Sequence, residues 1–247
     1  MPASVTIVTG MVLSAMPVGD YDKRLVLLTR ELGKISAFAK GARRPNSALL
    51  ACSQPFSFGQ FSLYVGRNSY SITSADISNY FQELRDDIAS VYYGMYFCEF
   101  SEYVTKENND EREILKLLYQ TLRAVAKKTI ELPLVRVIFE FKILALSGVA
   151  PQVFECVKCG KDNQQYRFSV DSGGLLCEDC KTHDTRSIRL SISSIYTLQY
   201  IISKDIGKLY TFRVSKEILN ELITCVRRYR NHYIDREFKS SELLRIL

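Results

Sequence analysis

Two Cys-x-x-Cys pairs, Cys156/Cys159 and Cys177/Cys180, stand on either side of a spacer running from Gly160 to Leu176. This spacing fits a four-cysteine zinc site. Each pair can set two thiolates on one side of a tight turn, and Gly160 lets the first turn close. A hairpin-like spacer carrying Gly173-Gly174 would return the second pair to complete a tetrahedron. Four protein ligands leave no open position for water or substrate, so Zn2+ here is expected to be structural. Four buried free thiols, or a redox pair, are the competing readings of the same residues. His183 follows Cys180 closely and reads as a loop histidine rather than a ligand.

The second stretch with chemistry in it is Lys40-Gly41-Ala42-Arg43-Arg44. It stands at the end of an apolar run and enters a loop. Arg43 and Arg44 bring fork-shaped donors that match phosphate oxygens, and Gly41 would let the backbone come close to a phosphate. Lys23, Arg24 and Lys34 lie in neighbouring loops or strand ends, and Tyr21 and Phe38 could stack on bases. Against this, basic loops are common, and Phe38 suits a core as well as a stacking platform. No phosphate loop, nucleophile elbow or His-Glu-x-x-His motif is present. With two histidines in the chain, histidine acid–base catalysis has little to work with. Asp86-Asp87 and Glu178-Asp179 are adjacent carboxylates that read as solvated faces. The expectation is a non-enzyme.

These residues need elements to hold them. Residues 4–13 are rich in β-branched side chains and read as a strand, broken at Met16-Pro17-Val18-Gly19-Asp20. Residues 24–30 and 35–40 are two further short strands. Residues 58–65 alternate, with Phe61, Leu63 and Val65 on one face, and turn through Gly66-Arg67-Asn68-Ser69 into 70–75. Five strands in about 75 residues predict a small barrel of oligonucleotide-binding (OB) type, with an SH3-like barrel as the alternative.

After Ser78 the apolar period becomes helical. Tyr92, Tyr93, Tyr96, Phe97, Phe100 and Tyr103 supply one aromatic-rich helix. Ile114, Leu117, Leu118, Leu122 and Val125 stripe a second, started near Asp110 and Glu113. Pro133 opens a third, striped by Val137, Ile138, Phe141, Leu144 and Ala145 and ended at Gly148 and Pro151. Beyond the cysteines, Ser193 or Ser194 caps a helix through Ile195, Leu198 and Ile202. Ser215 caps the last, through Ile218, Leu219, Leu222, Ile223 and Val226, with Arg227, Arg228 and Arg230 in its final turns. The reading is α+β with two domains: an OB-fold β-barrel over residues 1–80, then an α-helical bundle over 81–247 with a zinc-knuckle insertion at 154–182.

Composition narrows the partners. The chain of 247 residues carries a net charge of +6. Residues 1–80 hold eight Lys and Arg against four Asp and Glu, residues 81–180 twelve against sixteen, and residues 181–247 thirteen against seven. Basic ends around an acidic middle point to a polyanion. No run of apolar residues is long enough to span a membrane, and the N-terminus lacks the pattern of a secretory signal. Seven cysteines, an odd number, suit a reducing, cytoplasmic setting better than a disulfide framework. Cys52, Cys98 and Cys225 read as small buried hydrophobes.

The run VGDYDKRLVLLTRELGKISAFAKGARRPNSAL resembles the N-terminal signature of the RecO family of bacterial recombination mediators. The likeness continues through Gln54-Pro55-Phe56, the segment FEFKILALSGVAPQ and the four cysteines. The resemblance implies an N-terminal OB fold and a helical domain with a zinc element. It implies binding of single- and double-stranded DNA, annealing of complementary strands, and partnership with RecR in loading the recombinase onto coated single strands. It also implies docking of the acidic, apolar-ended C-terminal tail of single-stranded-DNA-binding protein on the helical domain, and a cytoplasmic, nucleoid-associated location. The family's DNA-contact region falls on Lys40, Arg43 and Arg44, with Lys23, Arg24 and Lys34 as companions. The rival reading is a non-catalytic protein-docking scaffold with a structural zinc.

Overall fold

The computed structural model describes residues 5–67, 69–161 and 166–244. Residue 4 of the first expected strand, Asn68 of the expected hairpin turn and residues 162–165 of the cysteine spacer lie outside the described residues. The chain divides into two compact units, residues 1–126 with 238–247, and residues 127–237.

The first unit is built on a closed barrel of five strands: β1 (Val5–Val18), β2 (Asp22–Thr29), β3 (Gly33–Ala39), β4 (Phe58–Val65) and β5 (Tyr70–Asn79), in the order β1-β2-β3-β5-β4. β1 closes the barrel by serving two neighbours. It pairs with β4 from Val5 to Met11 and with β2 from Gly10 to Val18. An irregularity between Val12 and Ser14 bends it from one partner to the other. The other seam is a short parallel pairing of β3 and β5 at Ala37–Tyr70 and Phe38–Ser71. Strand alternation fills the interior with Val8, Val12, Leu25, Leu27, Ile35, Ala37, Phe61 and Leu63. Short helix α1 (Leu49–Cys52) adds Leu49 and Cys52 to the same core. The expected OB-type barrel is therefore present.

One expectation about it was wrong. Met16-Pro17-Val18 does not break the first strand; β1 runs on to Val18, and the chain turns at Gly19-Asp20-Tyr21. By Pro17, β1 has left β4 and pairs only with β2, opposite Lys23. A proline is tolerated where a strand has a neighbour on one side only.

Also in this unit are α2 (Ile88–Val104) and α3 (Arg112–Lys127), whose last residue passes into the second unit. Asp87 is no solvated carboxylate: it caps α2 by accepting from the amides of Ala89 and Ser90. Of the six aromatic residues assigned to α2, Tyr96, Phe97 and Phe100 are buried, Tyr92 and Tyr93 are half-buried, and Tyr103 is exposed. The expected stripe of α3 is buried throughout. The periodicity missed that the C-terminal segment returns to α2. Phe238 packs against the rings of Tyr96, Phe100 and Tyr103. Glu99 then accepts from the amides of Lys239 and Ser240, at the start of α7 (Lys239–Leu243).

The second unit is organised on α4 (Leu132–Leu146), with α5 (Ile192–Ser203) and α6 (Lys216–Tyr233) packed on it and on each other. Pro133 lies in the first turn of α4, as expected. The amides of Gly148 and Val149 end the helix on the carbonyls of Ala145 and Leu144. A single apolar stripe understates α4: every residue from Val137 to Leu144 is buried, Glu140 and Lys142 included. Glu140, 1 % exposed, accepts from Arg136 at 2.7 Å and from Arg230 of α6 at 3.0 Å. Lys142 donates to the carbonyls of Ile202 and Lys204 at the end of α5. Ser215 caps α6, as expected. The α5 cap is Ser191, not Ser193 or Ser194, because Ser191 accepts from the Ser194 amide while Glu221 holds both hydroxyls. A three-stranded sheet, β6 (Tyr166–Ser169), β7 (Gly174–Cys177) and β8 (Ile188–Arg189), completes the unit in the order β7-β6-β8.

Glu140 is the buried carboxylate on which two arginines converge, so Glu140→Ala leaves charge without its partner. Breaking such a pair typically costs about 3 to 5 kcal/mol. Urea unfolding of Glu140→Ala should show a loss of unfolding free energy of that size, whereas Glu113→Ala, on an exposed face, should stay within about 0.5 kcal/mol of the parent.

Candidate nucleic-acid interface and metal centre

The basic loop Lys40–Ser47 leaves β3 and folds onto the β1–β2 turn. The Arg43 amide donates to the Tyr21 carbonyl at 2.8 Å, and the Arg43 guanidinium donates to the Gly19 carbonyl at 3.0 Å. Arg44 lies over the Tyr21 ring at 5.0 Å from its centroid. The Gly41 amide donates to Asp22 Oδ1 at 2.7 Å. That last bond corrects the sequence reading of Gly41. Its amide is committed to a carboxylate, so the glycine is there for its φ of +67° and not for close approach to a phosphate. The result is a cationic knob made of two loops, with Lys40, Arg43 and Arg44 all exposed.

The companion residues separate. Arg24 is exposed on the outer face of β2, opposite Phe38 of β3. Phe38 is half-buried and stands outside the barrel core. Lys23 points the other way: its Nζ donates to Ser53 Oγ at 3.0 Å, and burial lowers its pKa, with the nearby Arg43 charge adding to the effect and Cys52 opposing it. Lys34 stands six residues before Lys40 along β3, roughly 20 Å away at strand spacing. Its Nζ donates to the Glu102 carbonyl at 2.6 Å. The structure thus brings Lys40, Arg43 and Arg44 together, places Arg24 on the adjoining face, ties Lys23 to the end of α1, and sends Lys34 to α2.

The four cysteines form a second cluster. Their Sγ atoms all lie within 4.8 Å of one another, with Cys159 and Cys177 at 3.7 Å. Gly160, at φ +66°, closes the first turn, its amide donating to the Cys156 carbonyl at 2.8 Å. The β6–β7 hairpin, turning at Gly173, brings Cys177 back, and a 3-10 turn over Glu178–His183 supplies Cys180. The thiols compete for charge. Burial pushes Cys180 up to about 12, reinforced by its three neighbours. Burial also acts to raise Cys156, but amides of Cys177, Cys159 and Lys158 outweigh it and bring that thiol down to about 6. Four thiolates this close repel unless a cation sits among them, so the donor set fits a metal ion. His183 is exposed and does not belong to the set. Cys52, Cys98 and Cys225 are buried, as expected.

A closed five-stranded barrel with a cationic two-loop knob, joined to a helical unit bearing a four-thiol centre, defines a chain of the nucleic-acid-handling class. Comparison with known proteins makes this specific. The family profile described as Recombination protein O N terminal matches residues 4–81, and the one described as Recombination protein O C terminal matches residues 85–242. The DNA repair protein RecO of Alkaliphilus metalliredigens is 35% identical over 95% of this chain and 96% of its own. Those of Acetivibrio thermocellus and Symbiobacterium thermophilum are 31% and 32% identical, over 97% and 96% of this chain and 96% and 95% of their own. The chain belongs to the RecO family, and its role lies in DNA repair. Among the described residues no helix is long and apolar enough to cross a membrane.

The knob depends on a residue that tolerates positive φ at Gly41. An added Cβ would meet only the Arg44 side chain, at 3.7 Å, so the penalty of Gly41→Ala is dihedral rather than steric. Thermal unfolding should record a loss of about 1 to 2 kcal/mol. Gly41→Asn, which enters that region more readily, should lose less.

Proposed function

We propose that this chain is a non-catalytic recombination mediator. It binds single- and double-stranded DNA, anneals complementary strands, and with RecR loads the recombinase onto single strands coated with single-stranded-DNA-binding protein. The observation that carries the reading is the exposed triad Lys40, Arg43 and Arg44, held on a barrel of OB type in a chain of the RecO family. Cations on such a knob neutralise strand phosphates and lower the repulsion between strands, while the bases stay free to pair. Functionally the chain divides near residue 80, barrel before and helical part after. A cytoplasmic, nucleoid-associated location follows from this role.

In the same reading, Cys156, Cys159, Cys177 and Cys180 hold a structural zinc. A tetrahedron of thiolates at the usual Zn–S distance has edges of about 3.8 Å, close to the 3.7 Å between Cys159 and Cys177. A bound zinc would fix the two turns and relieve the repulsion among the thiolates. The acidic tail of the coat protein is assigned to a groove of about 540 Å³ between the starts of α5 and α6. There Ile192 and Tyr196, 71 % and 69 % exposed, stand beside Arg213. An apolar floor with a cation at its rim suits a peptide ending in an apolar residue and a carboxylate. The rival scaffold reading draws on the outer barrel face, where Val5, Ile7 and Tyr64 are exposed.

Two measurements check this. Arg43→Ala with Arg44→Ala should flatten the plot of log affinity against log salt by roughly 0.7 for each single-strand phosphate left without its cation, equally for any base sequence. A variant with unchanged affinity and slope would move the DNA path off the barrel loop. A protein that binds DNA without salt dependence, yet captures protein partners through Val5 and Ile7, would favour the scaffold. Metal analysis should find about one zinc per chain. Chelation or Cys156→Ser should lower the melting temperature while the folded fraction keeps its DNA affinity. A metal-free protein of undiminished stability would remove zinc from the account.

A further inference from the structure

The three arginines near the end of α6 have different fates. Arg230 is turned inward onto Glu140. Arg227 and Arg228 are exposed, and Arg228 lines a cleft of about 550 Å³ together with Val170, Asp171, Asp184, Arg186 and His232. The cleft is built rather than incidental. The turn Asp184–Ser187 is held by the Ser187 amide on the Asp184 carbonyl and by the Arg186 amide on Asp184 Oδ1. Arg228 Nη1 donates to the Arg186 carbonyl at 3.2 Å, which fastens α6 to that turn.

The charges in the cleft are unevenly satisfied. Asp171 pairs with Arg186 Nη2, and Asp184 is occupied by a backbone amide. Among the described residues, Arg228 has no carboxylate within ion-pair distance; its one bond is to a neutral carbonyl. A guanidinium carries five donors, so Arg228 keeps most of them for a ligand, and Arg186 retains an edge beyond its pair. Two planar forks presented to one opening match the oxygens of a phosphate.

We infer that the Arg186–Arg228 cleft binds phosphate groups of a second nucleic-acid strand, separate from the strand held at the barrel loop. The inference rests on the DNA-binding reading above and extends it. Annealing brings two strands together, and a second cation site lets each strand be held on its own. A cation site in each unit lets one chain carry both.

The test uses the full chain and two non-complementary oligonucleotides with different labels. Co-occupancy is read by energy transfer between the labels. Arg228→Gln should keep first-strand binding, lose about tenfold in capture of the second strand, and slow annealing in step. The salt slope for second-strand capture should flatten by roughly 0.7. Arg228→Lys, which keeps the charge but not the planar fork, should restore part of the capture. Unchanged capture in Arg228→Gln overturns the inference, and so does a lysine variant as weak as the glutamine one. Inorganic phosphate and a mononucleotide serve as competitors. If either displaces the second strand at a concentration matching the strand's own, the cleft is a free-phosphate site and the strand assignment falls. If the parent protein binds no strand at all, the DNA-binding reading falls first. If Arg43→Ala with Arg44→Ala weakens binding while Arg228→Gln does nothing, only the second site falls.

Discussion

A closed five-stranded barrel gives every strand two neighbours, and the way β1 meets that demand shapes the first unit. β1 does it by length and by a bend. Fourteen residues let it pair with β4 through its first half and with β2 through its second, with the irregularity between Val12 and Ser14 as the joint. Because β1 outruns β4, its far end continues beside β2 alone, while β2 stays paired with β3 as far as Lys23 and Ala39. The β1–β2 turn lies at Gly19-Asp20-Tyr21. Its tip supplies the Gly19 and Tyr21 carbonyls that take Arg43, while Asp22 takes Gly41. The cationic knob therefore depends on the β1–β2 turn, which ends next to the last residue of β3 and takes the loop that leaves it.

The second unit meets a different constraint. α4 is buried nearly all round, yet it carries Glu140 and Lys142. Each charge is matched where it enters the interior, Glu140 by Arg136 and Arg230, Lys142 by the carbonyls that end α5. A cation at a helix C-terminus meets the negative end of the dipole, so Lys142 serves α5 as much as its own helix. These bonds fix α5 and α6 to α4 by register as well as by apolar burial.

Much of this was legible in the residues. Alternation gave the strands, helical periodicity gave α2 to α6, and the cysteine spacing gave the four-thiol centre. What was hidden has a common cause: it depends on partners distant in sequence. Pro17 signals a break locally, but its place in the strand depends on where β4 stops. Asp87 looks like half of a solvated pair until α2 begins after it. The local pattern points to Ser193 or Ser194 as the cap of α5, but Ser191 takes that place, with Glu221 of another helix holding its hydroxyl and that of Ser194. The return of Phe238 to α2 has no periodic signal, because five residues of helix are too few to show one.

The same principle sorts the cations, and here composition alone misleads. Lys23, Lys34 and Arg230 share residue types with Lys40, Arg44 and Arg228, and a count of charge treats them alike. Their partners do not. Lys23, partly buried, is tied to Ser53, Lys34 to the Glu102 carbonyl and Arg230 to Glu140. A cation already desolvated against a protein acceptor would have to break that bond to meet a phosphate, and the exchange returns little net free energy. An exposed cation whose acid neighbours are satisfied elsewhere gives up only water and counterions, and the release of counterions is favourable. Arg44 sits between these cases: stacking on Tyr21 holds the guanidinium plane without consuming its donors. The arrangement leaves its edge ready for an anion at little further loss of side-chain freedom. In the proposed reading, affinity for a polyanion therefore rests on exposed cations such as Lys40, Arg44 and Arg228 rather than on the net charge of +6.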